Sequence, residues 1–146
     1  MPETAADRDP TAVVRRVLRA PAARVFQAWI DPDAMAEWMT LSGTATATLD
    51  VRVGGTFHLV MGDEHTRIEH TGEYRAIEPP RLLVFSWRSE FTGMRDTLVT
   101  VRLTELGPDE TELVLTHEFA TREQAESHEQ GWNQLVVRLA TLVEPR

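Results

Sequence analysis

Five histidines are the residues of this chain best suited to chemistry near neutral pH. His58, His65 and His70 lie close together in sequence, and His117 and His128 follow toward the end. A neutral imidazole offers one donor and one acceptor, which suits a carbonyl or hydroxyl ligand; general acid–base work is open to it as well. Metal binding is the rival use. No pair of these histidines has the helical i, i+4 spacing of a zinc motif, and no carboxylate is clearly placed as a third ligand, so no metal is expected. Other chemistries are closed by composition. There is no cysteine, which excludes disulfides, zinc–thiolate sites and thiol nucleophiles. All 15 cationic residues are arginine, so no lysine can form a Schiff base or act as a base. No cofactor is expected.

Strand alternation decides which histidines face inward. Over residues 66–77, Ile68, His70, Gly72, Tyr74 and Ala76 share one face, opposite the charged Arg67, Glu69, Glu73 and Arg75. Solvation of that charged face turns His70 and Tyr74 inward. Over residues 111–119, His117 falls with Leu113, Leu115 and Phe119 and also points inward. His128 lies on the apolar stripe of a C-terminal helix, beside Trp132 and Leu135. His65 falls in a turn and is expected to be exposed, whereas alternation assigns His58 to neither face. Each inward histidine has two readings: a core-edge imidazole bonded to backbone or water, or an oriented polar group inside a cavity.

Seven strands and three helices have to hold these residues. Residues 11–19 read as a first strand. Pro21 opens a short helix with Val25, Phe26 and Trp29 on one face, and Asp31-Pro32 starts a second with Met35, Trp38 and Met39. The period then changes to two, over residues 44–53, 54–61, 66–77, 81–89, 96–106 and 111–119. Gly54-Gly55, Gly62-Asp63, Pro79-Pro80, the stretch around Gly93 and Gly107-Pro108-Asp109 break these runs, and such short separations predict a meander. Thr121 and Gln124 form a capping box for a final helix of some 22 residues, or about 33 Å. Its stripe is Ala125, His128, Trp132, Leu135, Val136, Leu139, Leu142 and Val143.

Burial dictates how these elements combine. The expected fold is α+β: a curved antiparallel sheet of six to seven strands wrapped around the long C-terminal helix, with two short helices after the first strand. Residues 11–146 are expected to form one domain behind a flexible N-terminus over residues 1–10. Where helix and sheet stand apart, the gap is the natural ligand site. Its expected lining is His70, Tyr74, Trp87, His117, His128 and Trp132, with Trp29 and Trp38 left to the core. Gly131, within the helix, implies either a close approach to the sheet or space left for a ligand. Phe91 and Met94, in the loop before the sixth strand, have three readings: a cavity lip, a homodimer contact, or packing onto a neighbouring helix. Arg52, Arg81 and Arg88 are expected to be solvated ion-pair partners.

Charge and hydropathy remove further classes. With 23 carboxylates against 15 arginines and a net charge of −8, nucleic acid is not an expected partner. No apolar run approaches the roughly 20 residues of a membrane span. The opening residues are acidic and lack the apolar segment of a signal peptide, which points to a soluble, bacterial-type cytoplasmic protein.

Several motifs together resemble a known family. Pro21-x-x-x-Val25-Phe26-x-Ala28-Trp29 followed by Trp38, then Asp50-x-Arg52-Val53-Gly54-Gly55-x-Phe57, resemble the activator of heat-shock-protein-90 ATPase homologues. So do Gly72-x-Tyr74-x-x-Ile77-x-Pro79-Pro80-Arg81-Leu82 with Trp87 beyond, and the pair Gly131-Trp132. That family belongs to the helix-grip superfamily of START-like domains, polyketide cyclases and birch-pollen-allergen proteins. The resemblance covers roughly residues 12–143 and implies a cavity beneath the long helix that takes a small hydrophobic or amphipathic ligand. Two other functions stay open. One is a cyclase- or hydrolase-like enzyme using a cavity histidine, with Tyr74 as oxyanion donor. The other is a co-chaperone-like or regulatory protein acting through its exterior; the resemblance begins about a dozen residues in, leaving no room for the namesake's additional N-terminal domain. Binding without catalysis is the leading expectation.

Overall fold

Aspartate and proline set up the early helices in the computed structural model, which describes residues 10–43, 45–62, 65 and 67–145. Apart from Pro10, the segment expected to fray lies outside the described residues, as do Asp63 and Glu64 of the expected turn. After strand β1 (Thr11–Leu18), helix α1 (Ala22–Ile30) begins just past Pro21, whose carbonyl accepts the first helical bonds from Arg24 and Val25. Helix α2 (Pro32–Trp38) is capped by the Asp31 carboxylate, which accepts from the Asp33 amide at 3.0 Å. Six strands follow: β2 (Thr46–Leu49), β3 (Thr56–Gly62), β4 (Arg67–Glu78), β5 (Leu82–Trp87), β6 (Thr97–Gly107) and β7 (Glu110–Glu118). Helix α3 (Arg122–Val143) ends the fold.

The strand order is β1-β7-β6-β5-β4-β3-β2, and every neighbouring pair is antiparallel. The expected meander therefore runs from β2 to β7, and β1 closes against β7, pairing Thr11 with Glu118 and Leu18 with Thr111. The pairing is irregular at β4. There Gly72 lies under the Phe57 ring, and a Cβ on it would stand 1.9 Å from the Ser86 carbonyl oxygen and 2.3 Å from Phe57 Cε2. The Glu73 amide donates to Ser86 Oγ at 2.9 Å instead of to backbone, and a bulge between Tyr74 and Ala76 follows. That bulge corrects strict alternation: beyond it Ile77 packs against the core.

Helix α3 lies across the inner face. Thr121 Oγ1 accepts from the Gln124 amide, and the Gln124 side chain returns to the Ala120 amide, which satisfies two otherwise unpaired donors. Its buried stripe is Ala125, Trp132, Leu135, Val136, Leu139, Ala140 and Val143. Leu142, expected in that stripe, is 38% exposed, because the helical period carries it to the flank and brings Ala140 inward. The Glu144 carboxylate accepts from the Arg19 amide at 2.9 Å, which ties the end of the helix to the turn after β1.

Candidate functional site

The inner faces of α1, α2 and the central strands are mostly aromatic. Trp29 meets Trp38 edge-on at 4.6 Å and Trp132 at 6.0 Å; Phe57 meets Phe85 at 5.5 Å and Tyr74 at 5.8 Å. Trp87 joins the two groups, with its centroid 5.3 Å from Trp132 and 6.1 Å from Phe57. These rings leave one small internal space of about 10 Å³, lined by Trp29, Met35, Phe57, Tyr74, Phe85 and Trp87. That is about the volume one water needs.

The expected site residues divide around this space. It lies between the short helices and strands β3, β4 and β5, and among the six expected lining residues only Tyr74 and Trp87 border it. His70, His117, His128 and Trp132 instead form a packed cluster with Trp87 and Phe119 beneath the first half of α3. Aromatic rings filled the region where helix and sheet were expected to part. Trp29, Met35, Phe57 and Phe85 are the lining residues that sequence reasoning placed in the core or passed over. Their inward faces were readable, but which rings would leave a gap was not.

His117 holds the cluster together. Fully buried, it accepts from Trp132 Nε1 through Nδ1 at 2.9 Å, which places its own proton on Nε2. That N–H donates to Thr97 Oγ1 at 2.7 Å, and the Thr97 hydroxyl donates to the Trp87 carbonyl at 2.6 Å. Every polar side-chain group in this relay from Trp132 through His117 to Thr97 is paired, so His117 is the bonded core histidine of the two readings. Burial, followed by the neighbouring His128, pushes its imidazole down to about 2. His70, 5% exposed, packs at 4.6 Å on Trp87. Burial pushes it down to about 4, backbone groups of Leu59 and Ile68 partly offset that, and His128 lowers it a little further. His128 is half-buried, stacks on Phe119 at 4.3 Å and donates through Nδ1 to the Gln124 carbonyl; burial lowers its pKa as well. Burial, then the charge of Asp50, raises the Tyr74 phenol to about 12.

Four indole N–H groups divide into two pairs. Trp38 donates to the Ala28 carbonyl at 2.8 Å and Trp132 to His117. Trp29 Nε1 and Trp87 Nε1 are buried without a hydrogen-bond partner, and both rings line the internal space. His70 Nδ1 is likewise buried and unpartnered. An indole N–H can only donate, so the interior holds two donors with no acceptor.

The remaining expectations resolve on the outer surface. His58 faces outward and bonds Glu69 at 2.8 Å, and His65 is exposed. No group of three or more histidine, aspartate or glutamate residues that could hold a metal occurs among the described residues. Arg52, Arg81 and Arg88 pair with Asp50, Glu78 and Asp96. Phe91 and Met94 are exposed, on a single 3-10 turn over Glu90–Thr92 closed by reciprocal Ser89 and Thr92 bonds. An added Cβ on Gly131 meets nothing within 4 Å, so no close approach to the sheet explains this glycine. An open concavity of about 500 Å³ lies over β2 to β5 and includes Thr48, Thr56, Thr71, Glu73 and Arg88. No helix among the described residues is long and apolar enough to cross a membrane.

Residues 19–144 match the family model described as activator of Hsp90 ATPase homolog 1-like protein. The chain belongs to that family. Solved structures share the activator-homolog fold. A protein from Chromobacterium violaceum is 28% identical with a TM-score of 0.79, the match covering 93% of this chain and 99% of that one. CalU16 from Micromonospora echinospora is also 28% identical with a TM-score of 0.72, covering 92% and 76%. DynU16, from the dynemicin biosynthetic locus, is 24% identical with a TM-score of 0.76, covering 91% of this chain and 46% of its own; at that identity it speaks for the fold alone. No curated protein matches the sequence. The activator-homolog fold is the helix grip that the resemblance implied, here with its interior closed to about the volume of a water.

Proposed function

We propose that this activator-homolog chain binds a small, largely apolar organic ligand between sheet and helices by opening the ring-lined space, here the size of one water, with a hydrogen-bond acceptor of the ligand taking the N–H of Trp29 or Trp87. The carrying observation is that these two buried donors lack partners while their rings line the internal space. Leaving such a donor unpaired costs on the order of 1–3 kcal/mol, a cost that an acceptor on a ligand removes. Six apolar or aromatic walls match the usual lining of an organic-ligand site.

An acid–base reaction in this space has less support. Its wall contains no histidine and no carboxylate, and its one phenol, Tyr74, is pushed up to about 12. A co-chaperone role also lacks a specific feature, since the exposed large apolar residues are spread over β1, the β2–β3 turn, the Phe91 turn and α3.

Two probes of the same shape test the binding reading. Acetophenone carries a carbonyl acceptor, and α-methylstyrene replaces that oxygen with a methylene. The four tryptophans give four indole N–H signals in a ¹⁵N-labelled sample. Acetophenone is expected to move the Trp29 and Trp87 signals downfield in a saturable way and to bind about tenfold more tightly than the styrene, the equivalent of one hydrogen bond. Equal affinities for the two probes, or no saturable shift with either, overturns the proposal.

A further inference from the structure

We infer that Met35 is the movable wall of this site and sets the size of ligand admitted, an inference that rests on the binding proposed above. Five of the six lining side chains are rings, and other rings hold them in place. Trp29 is wedged between Trp38 and Trp132, Phe85 lies against Trp29, Phe57 and Trp87, and Tyr74 packs on Phe57 and Phe85. Moving any of them disturbs several neighbours in a close-packed interior. Met35 is the one unbranched, non-aromatic member, with three rotatable bonds and a thioether that adapts to irregular gaps. In this closed form it is 5% exposed.

The helix that carries Met35 suits the role. Helix α2 spans only seven residues and buries only Met35 and Trp38 within its length. Its two ends are fixed. Asp31 caps the start, while Trp38 Nε1 bonds the Ala28 carbonyl and Arg138 Nη2 bonds the Glu37 carbonyl at 2.7 Å near the end. Between them the Met35 amide bonds the Asp31 carbonyl and the Ala36 carbonyl accepts from the Ala45 amide, so the backbone is fixed while the Met35 side chain is held by packing. Rotation of Met35 away from the ring cluster enlarges the space against Trp29, Phe57 and Trp87. The wall can thus retract without unseating the helix.

The test compares acetophenone with 2-acetonaphthone, which keeps the acceptor and adds a fused ring, in the wild-type chain, Met35→Ala and Met35→Leu. Binding is read from the Trp29 and Trp87 indole signals. In the wild type the larger ketone is expected to bind at least about tenfold more weakly, the scale of discrimination a fixed apolar wall supplies. Met35→Ala is expected to tighten both ketones, 2-acetonaphthone by about tenfold more than acetophenone, so that the wild-type preference closes. Met35→Leu keeps the volume but, being branched, retracts less, and is expected to weaken acetophenone at least about fivefold. If both ketones bind and Met35→Ala leaves their ratio at the wild-type value, the role of Met35 is refuted while interior binding stands. If the alanine variant does not fold, wild-type affinity for both ketones in Met35→Leu refutes it equally. If neither ketone shifts the two indole signals in any folded variant, the binding reading itself fails, and this inference with it.

Discussion

Acidification from pH 7 to pH 5 is the perturbation that probes the interior most directly. His70 and His117 are held neutral in the folded chain, pushed from 6.5 to about 4 and about 2 by burial. In the unfolded chain each returns to about 6.5 and takes up a proton as the pH falls. Below that value the unfolded state binds more protons than the folded one, so stability is full above pH 6.5 and declines as the pH drops through it. Between pH 7 and 5 each histidine costs about 2 kcal/mol, and the pair about 4 kcal/mol, a large part of the 5–15 kcal/mol typical of a domain. His128, also lowered by burial, acts in the same direction. Urea unfolding followed by tryptophan fluorescence at pH 7, 6 and 5 measures the loss as a falling midpoint at constant slope. In His70→Phe, which keeps a ring against Trp87, about half of the dependence is expected to remain. A midpoint that does not change between pH 7 and 5, or imidazole signals of His70 and His117 titrating near 6.5 in the folded chain, would falsify the assignment of both as neutral core residues.

Three further outcomes are expected from substitutions. Trp132→Phe leaves His117 Nδ1 without its donor and costs about 1–3 kcal/mol in urea unfolding. Gly131→Ala places a methyl where nothing lies within 4 Å and removes a helical glycine, so thermal unfolding should show a gain of about 1 kcal/mol. Gly72→Ala drives a methyl into the Ser86 carbonyl and the Phe57 ring; a loss above about 3 kcal/mol is expected, seen as depleted soluble yield and a lowered Tm.

The sequence was most legible where one local rule decided the outcome. Turn residues marked the strand boundaries, and alternation turned His70, Tyr74 and His117 inward because the charged residues between them had to meet water. Asp31-Pro32 and Thr121 announced their helices through the donors they cap. The bulge between Tyr74 and Ala76 was not legible, because it lies beside a cross-strand bond from the Glu73 amide to Ser86 that has no signature at a spacing of 13 residues. The bond from Trp132 to His117 joins a helix to a strand and has no signature at a spacing of 15 residues. The location of the internal space was the least legible feature. It is the small remainder after six large side chains from α1, α2 and the sheet have packed, and a shift of one ring moves it.

The closure of β1 on β7 bears on how the chain emerges from the ribosome. The partner of Thr11 is Glu118, so the first strand has no place in the sheet until about a hundred further residues have been translated, which takes roughly 5–20 seconds. Throughout that interval β1 is a nascent edge carrying Val13, Val14 and Val17, and it is interrupted by Arg15 and Arg16, the kind of charge that discourages pairing with another chain. The two arginines thus guard the strand during synthesis, before the rest of the fold exists to receive it.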